Sequence, residues 1–109
     1  MDSETLAKLR KQVGGPRDGA LLRASIGNSL LASNDVEEAA PEFRAALGFD
    51  VNYSAAWKML GRALTEANDP AGAIEAYERG IAVANQRGDN QAAKEMQVFL
   101  RRLQKSQAG

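Results

Sequence analysis

The stretch Leu60-Gly61-Arg62-Ala63-Leu64 has a counterpart 34 residues upstream, Ile26-Gly27-Asn28-Ser29-Leu30. The same offset relates Asn34-Asp35 to Asn68-Asp69. It also relates further single positions, namely Ala39 and Ala73, Phe43 and Tyr77, Ala46 and Gly80, and Leu47 and Ile81. A fixed period of this size indicates stacked supersecondary units, none of which buries its apolar face alone. The sequence therefore predicts an array of repeats.

Composition excludes several classes of function. The 109-residue chain has fourteen basic and fourteen acidic residues, so no overall charge favours nucleic acid or an anionic membrane. Cysteine and histidine are absent, which removes disulfides, thiolate catalysis and the commonest general base and metal ligand. No apolar run approaches the roughly 18 residues of a membrane span, and Met1-Asp2-Ser3-Glu4 lacks the apolar core of a secretory signal. We expect one soluble, cytoplasmic domain without a cofactor.

Apolar spacing predicts six helices and hence an all-α fold. We expect them at about 3–13, at 18–33, after Asp35, after Asn52 or from Ser54, after Asp69, and at about 90–104. Leu6, Leu9 and Val13 share one face of the first helix. The turns carry stop and start signals, in order Gly14-Gly15-Pro16, Asn34-Asp35, Asn68-Asp69-Pro70 and Gly88-Asp89.

The third helix carries two conflicting signals. Asp35 is expected to cap it, with Glu38 completing a capping box. Pro41 lies six residues after Asp35, and a proline in a helix interior costs about 3 kcal/mol. The helix therefore begins later, near Ala40, or its first turn is distorted.

The sixth helix is amphipathic. Its apolar stripe comprises Ala92, Met96, Phe99, Leu100 and Leu103. The polar residues on its other side predict that this helix ends the array, because they would stop further stacking.

The pattern Trp57-x-x-Leu60-Gly61-x-x-Leu64, followed by Ala73, Tyr77 and Gly80, resembles the tetratricopeptide repeat. The glycines let paired helices approach, and the aromatic residues fill the wider gap beyond. The resemblance implies a right-handed solenoid of antiparallel helix pairs over 1–109, with repeats at 20–53 and 54–87 and capping helices at 1–17 and 88–109. Two features depart from the pattern. Arg23 takes the place of Trp57 in the first repeat, and the family's usual proline is replaced by Val51 and Asn85.

The resemblance also implies that a peptide or helix of a partner protein binds in the concave groove made by the first helix of each pair. The helical period then identifies the side chains that lie opposite the buried face. The candidates are Leu21, Ser25, Asn28, Ala55, Lys58, Met59, Arg62 and Lys94. The same side includes Ala24, Ala32, Glu66, Ala93 and Gln97. The positions on the sixth helix assume one extra residue in the preceding loop.

The candidate groove is locally basic. Lys58, Arg62 and Lys94 favour a partner that carries carboxylates, unless Lys58 and Arg62 only solvate an exposed face. One subclass of the family grips a C-terminal carboxylate with a clamp of Lys, Asn and Arg. Ala24 and Met59 stand where that clamp needs Lys and Asn, so an intact clamp is excluded.

No catalytic constellation is evident, and we predict that the protein is not an enzyme. Serine residues lack an evident basic partner, and acidic pairs such as Glu37-Glu38 lie on solvated faces. The basic end formed by Arg101, Arg102 and Lys105 complements the helix dipole rather than a nucleic acid.

Two repeats are fewer than the three usually needed for stability. Either the flanking helices complete the core or the chain self-associates. The leading prediction is a protein-interaction module, and the alternative is a self-associating structural subunit, suggested by exposed Leu21 and Met59.

Overall fold

The computed structural model describes residues 3–108. Met1, Asp2 and Gly109, which the sequence prediction includes in the domain, lie outside the described residues. The helices are α1 (Ser3–Arg10), α2 (Ala20–Ala32), α3 (Val36–Phe49), α4 (Ser54–Glu66), α5 (Pro70–Gln86) and α6 (Asn90–Ala108). The prediction of six helices and an all-α fold is confirmed for this range. None of these helices has the length and apolarity needed to cross a bilayer.

The helices form a curved array. Each packs on the next along the chain, from α1 with α2 to α5 with α6. In addition α2 approaches α4 and α4 approaches α6, whereas α3 and α5 do not meet between residues 3 and 108. Because only alternate helices on one side converge, α2, α4 and α6 lie on the inner side of the curve. We call the surface they share the inner groove.

Glycine permits the close approach within each helix pair. A Cβ on Gly27 would lie 2.8 Å from the ring of Phe43, and a Cβ on Gly61 would lie 2.5 Å from the ring of Tyr77. Both aromatic side chains are buried. The predicted close approach at the glycines is therefore confirmed, but the aromatic rings pack directly on the glycines instead of filling a wider gap beyond them.

Trp57 belongs to the core, as predicted, with 7% of its surface exposed. Its indole Nε1 donates to the carbonyl of Val51 at 2.8 Å. Gly80 lies against it, because a Cβ there would come within 2.7 Å of the Trp57 Cβ. The guanidinium of Arg79 lies 5.9 Å from the indole centroid. The indole thus joins α4 to the preceding loop and to α5.

Three of the turns use one geometry. Asn34, Asn68 and Gly88 adopt positive φ values of 64°, 63° and 74°. After each of them, an aspartate amide donates to a carbonyl five residues earlier at 2.8 Å. Asparagine and glycine tolerate this left-handed conformation, so the predicted turn role of these residues is confirmed.

The helix starts differ from one another. The Asp69 side chain accepts a hydrogen bond from the amide of Gly72, as a cap does. Asp35 makes no such bond, so the predicted capping box with Glu38 is wrong. The later start of α3 near Ala40 is also wrong, because the helix begins at Val36 and continues through Pro41. Pro41 is exposed, and the bond it cannot make would have reached the exposed Glu37, whose carbonyl can bind water instead.

The first helix is shorter than predicted. It ends at Arg10, and the following amides bond three residues back, from Gln12 to Leu9 and from Val13 to Arg10. This tighter winding turns Val13 outward, where it is 40% exposed instead of sharing the apolar face. Leu6 and Leu9 do pack on the core, as predicted.

The sixth helix begins near Asn90 as predicted, but its buried positions lie one residue further along the chain than predicted. α5 has 17 residues against 14 in α3, and its extension brings Ala84 into the core. Consequently Ala93 and Met96 are the buried residues of α6, 36 positions after Trp57 and Leu60. The remaining residues of the predicted stripe are half-buried, except Phe99, which is 36% exposed.

Candidate functional site: the inner groove

All eight side chains predicted to line the groove are accessible. Leu21, Asn28, Ala55, Arg62 and Lys94 are exposed, and Ser25, Lys58 and Met59 are half-buried, on α2, α4 and α6. Two neighbours predicted with them are buried instead, namely Ala24 and Ala93 at 4% and 3% exposure. Ala93 is buried because of the shift of α6, which places Lys94 at the α6 position equivalent to Lys58.

The predicted basic character of the groove is largely offset. The Lys58 ammonium lies 3.5 Å from the Glu95 carboxylate, and this pair joins α4 to α6. The Arg62 guanidinium lies 3.5 Å from Glu66, one turn later on α4. Of the three predicted cations only Lys94 forms no ion pair among the described residues. Sequence reasoning did not foresee Glu95, because it placed Lys94 and Gln97 on this face.

Two hydroxyl groups near the groove bond within their own helices. The Ser25 hydroxyl donates to the carbonyl of Leu21 at 2.8 Å, and the Thr65 hydroxyl donates to the carbonyl of Gly61 at 2.7 Å. Such bonds to the preceding turn are common for these residues in helices. Neither hydroxyl is paired with a general base, so the arrangement supplies contacts and no evident nucleophile.

A cleft between the C-terminal halves of α4 and α6 was not foreseen from the sequence. It has a volume of about 350 Å³ and is lined by Arg62, Thr65, Glu66, Tyr77 and Phe99. A second lobe of about 340 Å³ shares Thr65, Tyr77 and Phe99 and extends to Arg102, Leu103 and Ser106. We call the two lobes together the aromatic cleft.

The aromatic residues of this cleft are stacked. The ring centroids of Tyr77 and Phe99 lie 5.7 Å apart with an interplanar angle of 27°. The Arg102 guanidinium lies 5.8 Å from the centroid of Phe99. Burial raises the pKa of the Tyr77 phenol, while its hydrogen bond with Thr65 opposes that rise. The phenol therefore stays neutral at physiological pH.

A second polar cluster lies at the start of α2. Arg23 pairs with Asp18 at 2.9 Å and with Glu42 at 3.4 Å. Asp18 also accepts from the amides of Gly14 and Gly19 at 2.9 Å. The hydrogen bond from Arg23, helped by the two amides, lowers the pKa of Asp18 to about 2. Every charge in the cluster has a partner, which is typical of a structural role.

Metal-binding groups are not evident in the described range. Within residues 3–108, no three acidic side chains come together in a way that could hold a metal ion.

Comparison with known proteins identifies relatives over most of the chain. The tetratricopeptide repeat model matches residues 25–92. A TPR repeat-containing protein of Pseudomonas aeruginosa is 45% identical over 98 residues, which cover 90% of this chain and 93% of that protein. A solution structure of a Bordetella parapertussis protein has a TM-score of 0.83 at 42% identity and covers 99% of this chain and 93% of the other. A heat-shock protein cognate co-chaperone of Aspergillus fumigatus is 33% identical over 78 residues, which are 72% of this chain and 23% of that protein.

Proposed function

Because this chain belongs to the tetratricopeptide repeat family, a family of protein-interaction domains, we propose that it binds a segment of a partner protein in the inner groove. The observation that carries the proposal is the convergence of α2, α4 and α6, without a matching approach of α3 and α5. Convergence on one side creates a concave surface, which a peptide or helix can occupy. The exposed side chains on that surface supply its contacts.

The chemistry of the surface supports a mixed polar and apolar ligand. Leu21, 73% exposed, and half-buried Met59 offer apolar contacts, and methionine adapts to varied partners. Asn28 offers an exposed amide. Since Lys58 and Arg62 already have carboxylate partners, a competing acidic ligand gains little from either cation alone. An acidic partner therefore has to use cations elsewhere as well.

A peptide selection tests the proposal. Peptides from a random display library are selected on the protein and then titrated into isotope-labelled protein. We expect amide shift changes concentrated on α2, α4 and α6. Changes concentrated on α3 and α5 would contradict the assignment of the groove.

A matched pair of variants sharpens the test. Arg62 and Arg79 each pair with a glutamate one turn away at 3.5 Å, and their side chains are 61% and 64% exposed. Arg62→Glu and Arg79→Glu therefore make the same charge change and break similar ion pairs, on α4 and α5 respectively. Because Arg79 also lies over Trp57, both variants are first checked for unchanged helicity. Only Arg62→Glu is expected to weaken binding of the selected peptides.

Self-association is the second candidate function. The last residue of α3, Phe49, is 56% exposed, and Val51 in the following loop is 57% exposed. Exposed apolar side chains of this size favour contact with another surface. Sedimentation at micromolar concentration tests this candidate with the variant Phe49→Ser as control. A monomer at every concentration would reject it.

The other expectations remain predictions. They are a cytoplasmic location, the absence of catalysis, and the absence of nucleic-acid or membrane partners. Cell fractionation tests the first, and retention on immobilised DNA at low salt tests the nucleic-acid prediction.

A further inference from the structure

We propose that the aromatic cleft receives one large apolar side chain of an acidic peptide segment, a carboxylate of which pairs with Arg102 at the rim of the cleft. This inference rests on the proposed function and assigns a specific subsite and ligand chemistry to it. The subsite extends beyond the predicted groove residues and shares Arg62 and Glu66 with that face.

The depth of the cleft follows from one substitution within the repeat pattern. Ser29 and Ala63 occupy equivalent positions in α2 and α4, and both are small and buried. Phe99 occupies the corresponding position in α6, because α6 is shifted by two residues relative to the repeat period. Its ring stacks on Tyr77 and remains 36% exposed. An apolar wall is therefore open to solvent at this place and not at its two equivalents.

The position of the cleft makes it a continuation of the inner groove. Tyr77 reaches it from α5, which packs against both α4 and α6, so the cleft opens on the side away from α5. The Lys58–Glu95 pair bridges the same two helices closer to their N-terminal ends. The ion pair and the cleft therefore lie one after the other along the α4–α6 side of the inner groove.

The volume and walls fit a large apolar side chain. Each lobe has about 340–350 Å³, in the lower part of the range for ligand pockets. Aromatic rings offset from each other, as Tyr77 and Phe99 are, favour further aromatic or aliphatic contacts. Thr65 also lines both lobes. Its hydroxyl already donates to the carbonyl of Gly61, so the lining remains mainly apolar there.

Charge at the rim selects an acidic segment. The lining includes two cations, Arg62 and Arg102, and one anion, Glu66. Glu66 pairs with Arg62, while Arg102 forms no ion pair with any residue in 3–108 and lies over Phe99 instead. On α6 all charged residues after Glu95 are cations, namely Arg101, Arg102 and Lys105. A carboxylate beside the inserted side chain would complete the pairing of Arg102.

Three short fluorescein-labelled peptides test the proposal directly. In the first, a single Phe lies between Asp and Glu residues. In the second, Ala replaces that Phe. In the third, Asn and Gln replace the acidic residues. We expect the first peptide to shift the amides of Thr65, Phe99 and Arg102, and each altered peptide to bind about tenfold more weakly or worse.

Two neighbouring variants provide the control. Arg102 lines the cleft and Arg101 does not, although both are exposed on the last part of α6. Arg102→Glu is expected to weaken the first peptide about tenfold, and Arg101→Glu to weaken it much less. An equal loss in both variants would show general charge attraction and overturn the proposal. Phe99→Ala, checked for unchanged helicity, is expected to erase the preference for Phe over Ala.

The remaining outcomes separate this inference from the proposed function. If the library-selected peptides shift the amides of Leu21, Asn28 and Met59 but not that of Phe99, the proposed binding in the inner groove stands and the proposed subsite in the cleft is rejected. Failure of all peptides to shift any inner-groove amide would reject both. Tighter binding of a single-stranded oligonucleotide than of the first peptide, or a dimer that Arg102→Glu dissolves, would also reject the peptide assignment.

Discussion

Repeat one (20–53) and repeat two (54–87) share a backbone plan but fill one equivalent position with opposite chemistry. Arg23 takes this position in α2 and is held by Asp18 and Glu42. Trp57 takes it in α4 and lies between the Val51 carbonyl, Gly80 and the Arg79 guanidinium. A complete helix pair precedes Trp57, whereas only α1 and a loop precede Arg23. The position is therefore apolar in the repeat that has a complete helix pair before it, and ionic in the repeat that has only α1 and a loop before it among the described residues.

Trp57→Ala is expected to give the largest effect in this comparison. Large-to-small changes in a core cost about 3–5 kcal/mol, because the contacts of the removed group are lost and a cavity remains. Arg23→Ala is expected to cost less, since Asp18 keeps its hydrogen bonds from the amides of Gly14 and Gly19 after the guanidinium is removed. Urea denaturation of both variants checks the order. A loss below about 1 kcal/mol for Trp57→Ala would show that the indole is not a core group.

A smaller loss is expected from Gly80→Ala. The added Cβ would lie 2.5 Å from the sulfur of Met96 and 2.7 Å from the Cβ of Trp57. Overpacking of this kind costs about 1–3 kcal/mol, which exceeds the gain in helix propensity of about 1 kcal/mol. Gly48→Ala is the matched control, because an added Cβ there meets nothing within 4 Å. Thermal melts should show a lower midpoint for the first variant and an unchanged or higher midpoint for the second.

The Asp18 cluster predicts a modest dependence of stability on pH. The pKa of Asp18 falls from 3.8 to about 2 in the folded chain, so the ionised form stabilises the fold above about pH 4. This contribution is lost as the pH falls through about 2, below which Asp18 is protonated in both the folded and the unfolded state. The difference in urea midpoint between wild type and Asp18→Asn should therefore narrow as the pH is lowered from about 5 to about 2. A difference that is constant with pH would contradict the assigned pairing.

The smallest effect is expected from Ser29→Ala. The Ser29 hydroxyl is buried, and within residues 3–108 it has no hydrogen-bond partner. Removing a polar group that makes no bond is neutral or stabilising, here by at most about 1 kcal/mol. Repeat two already has Ala63 at the equivalent position. A loss of more than about 1 kcal/mol in chemical denaturation would mean that the hydroxyl has a partner.

Much of the fold could be predicted from the sequence because the repeat depends on turn residues and on small and aromatic residues at fixed spacing. The 34-residue period related Gly27 to Gly61 and Phe43 to Tyr77. In the structure each glycine packs on the aromatic ring of its own repeat, and these contacts set the spacing of the helices. Asn34 and Asn68 marked turns that need positive φ. Such features depend on neighbours in sequence, or on neighbours one repeat away.

The details that escaped prediction depend on longer-range packing. The length of α5 determines where α6 lies, and no residue next to Ala84 in the sequence indicates that α5 continues past Ala84. The resulting shift buried Ala93 and brought Glu95 to Lys58, so the groove is less basic than expected. Phe99 was assigned to the apolar stripe because its spacing fits, yet no following helix covers it within the described residues.

Photo-crosslinking in the native cell shows directly whether a partner binds on the side lined by α2, α4 and α6. A photoreactive phenylalanine analogue is placed at Met59, on the inner side of α4, or at the exposed Arg44 on α3. We expect a crosslinked partner protein from position 59 and none from position 44. Crosslinking from position 44 alone would contradict the claim that the side lined by α2, α4 and α6 is the binding surface.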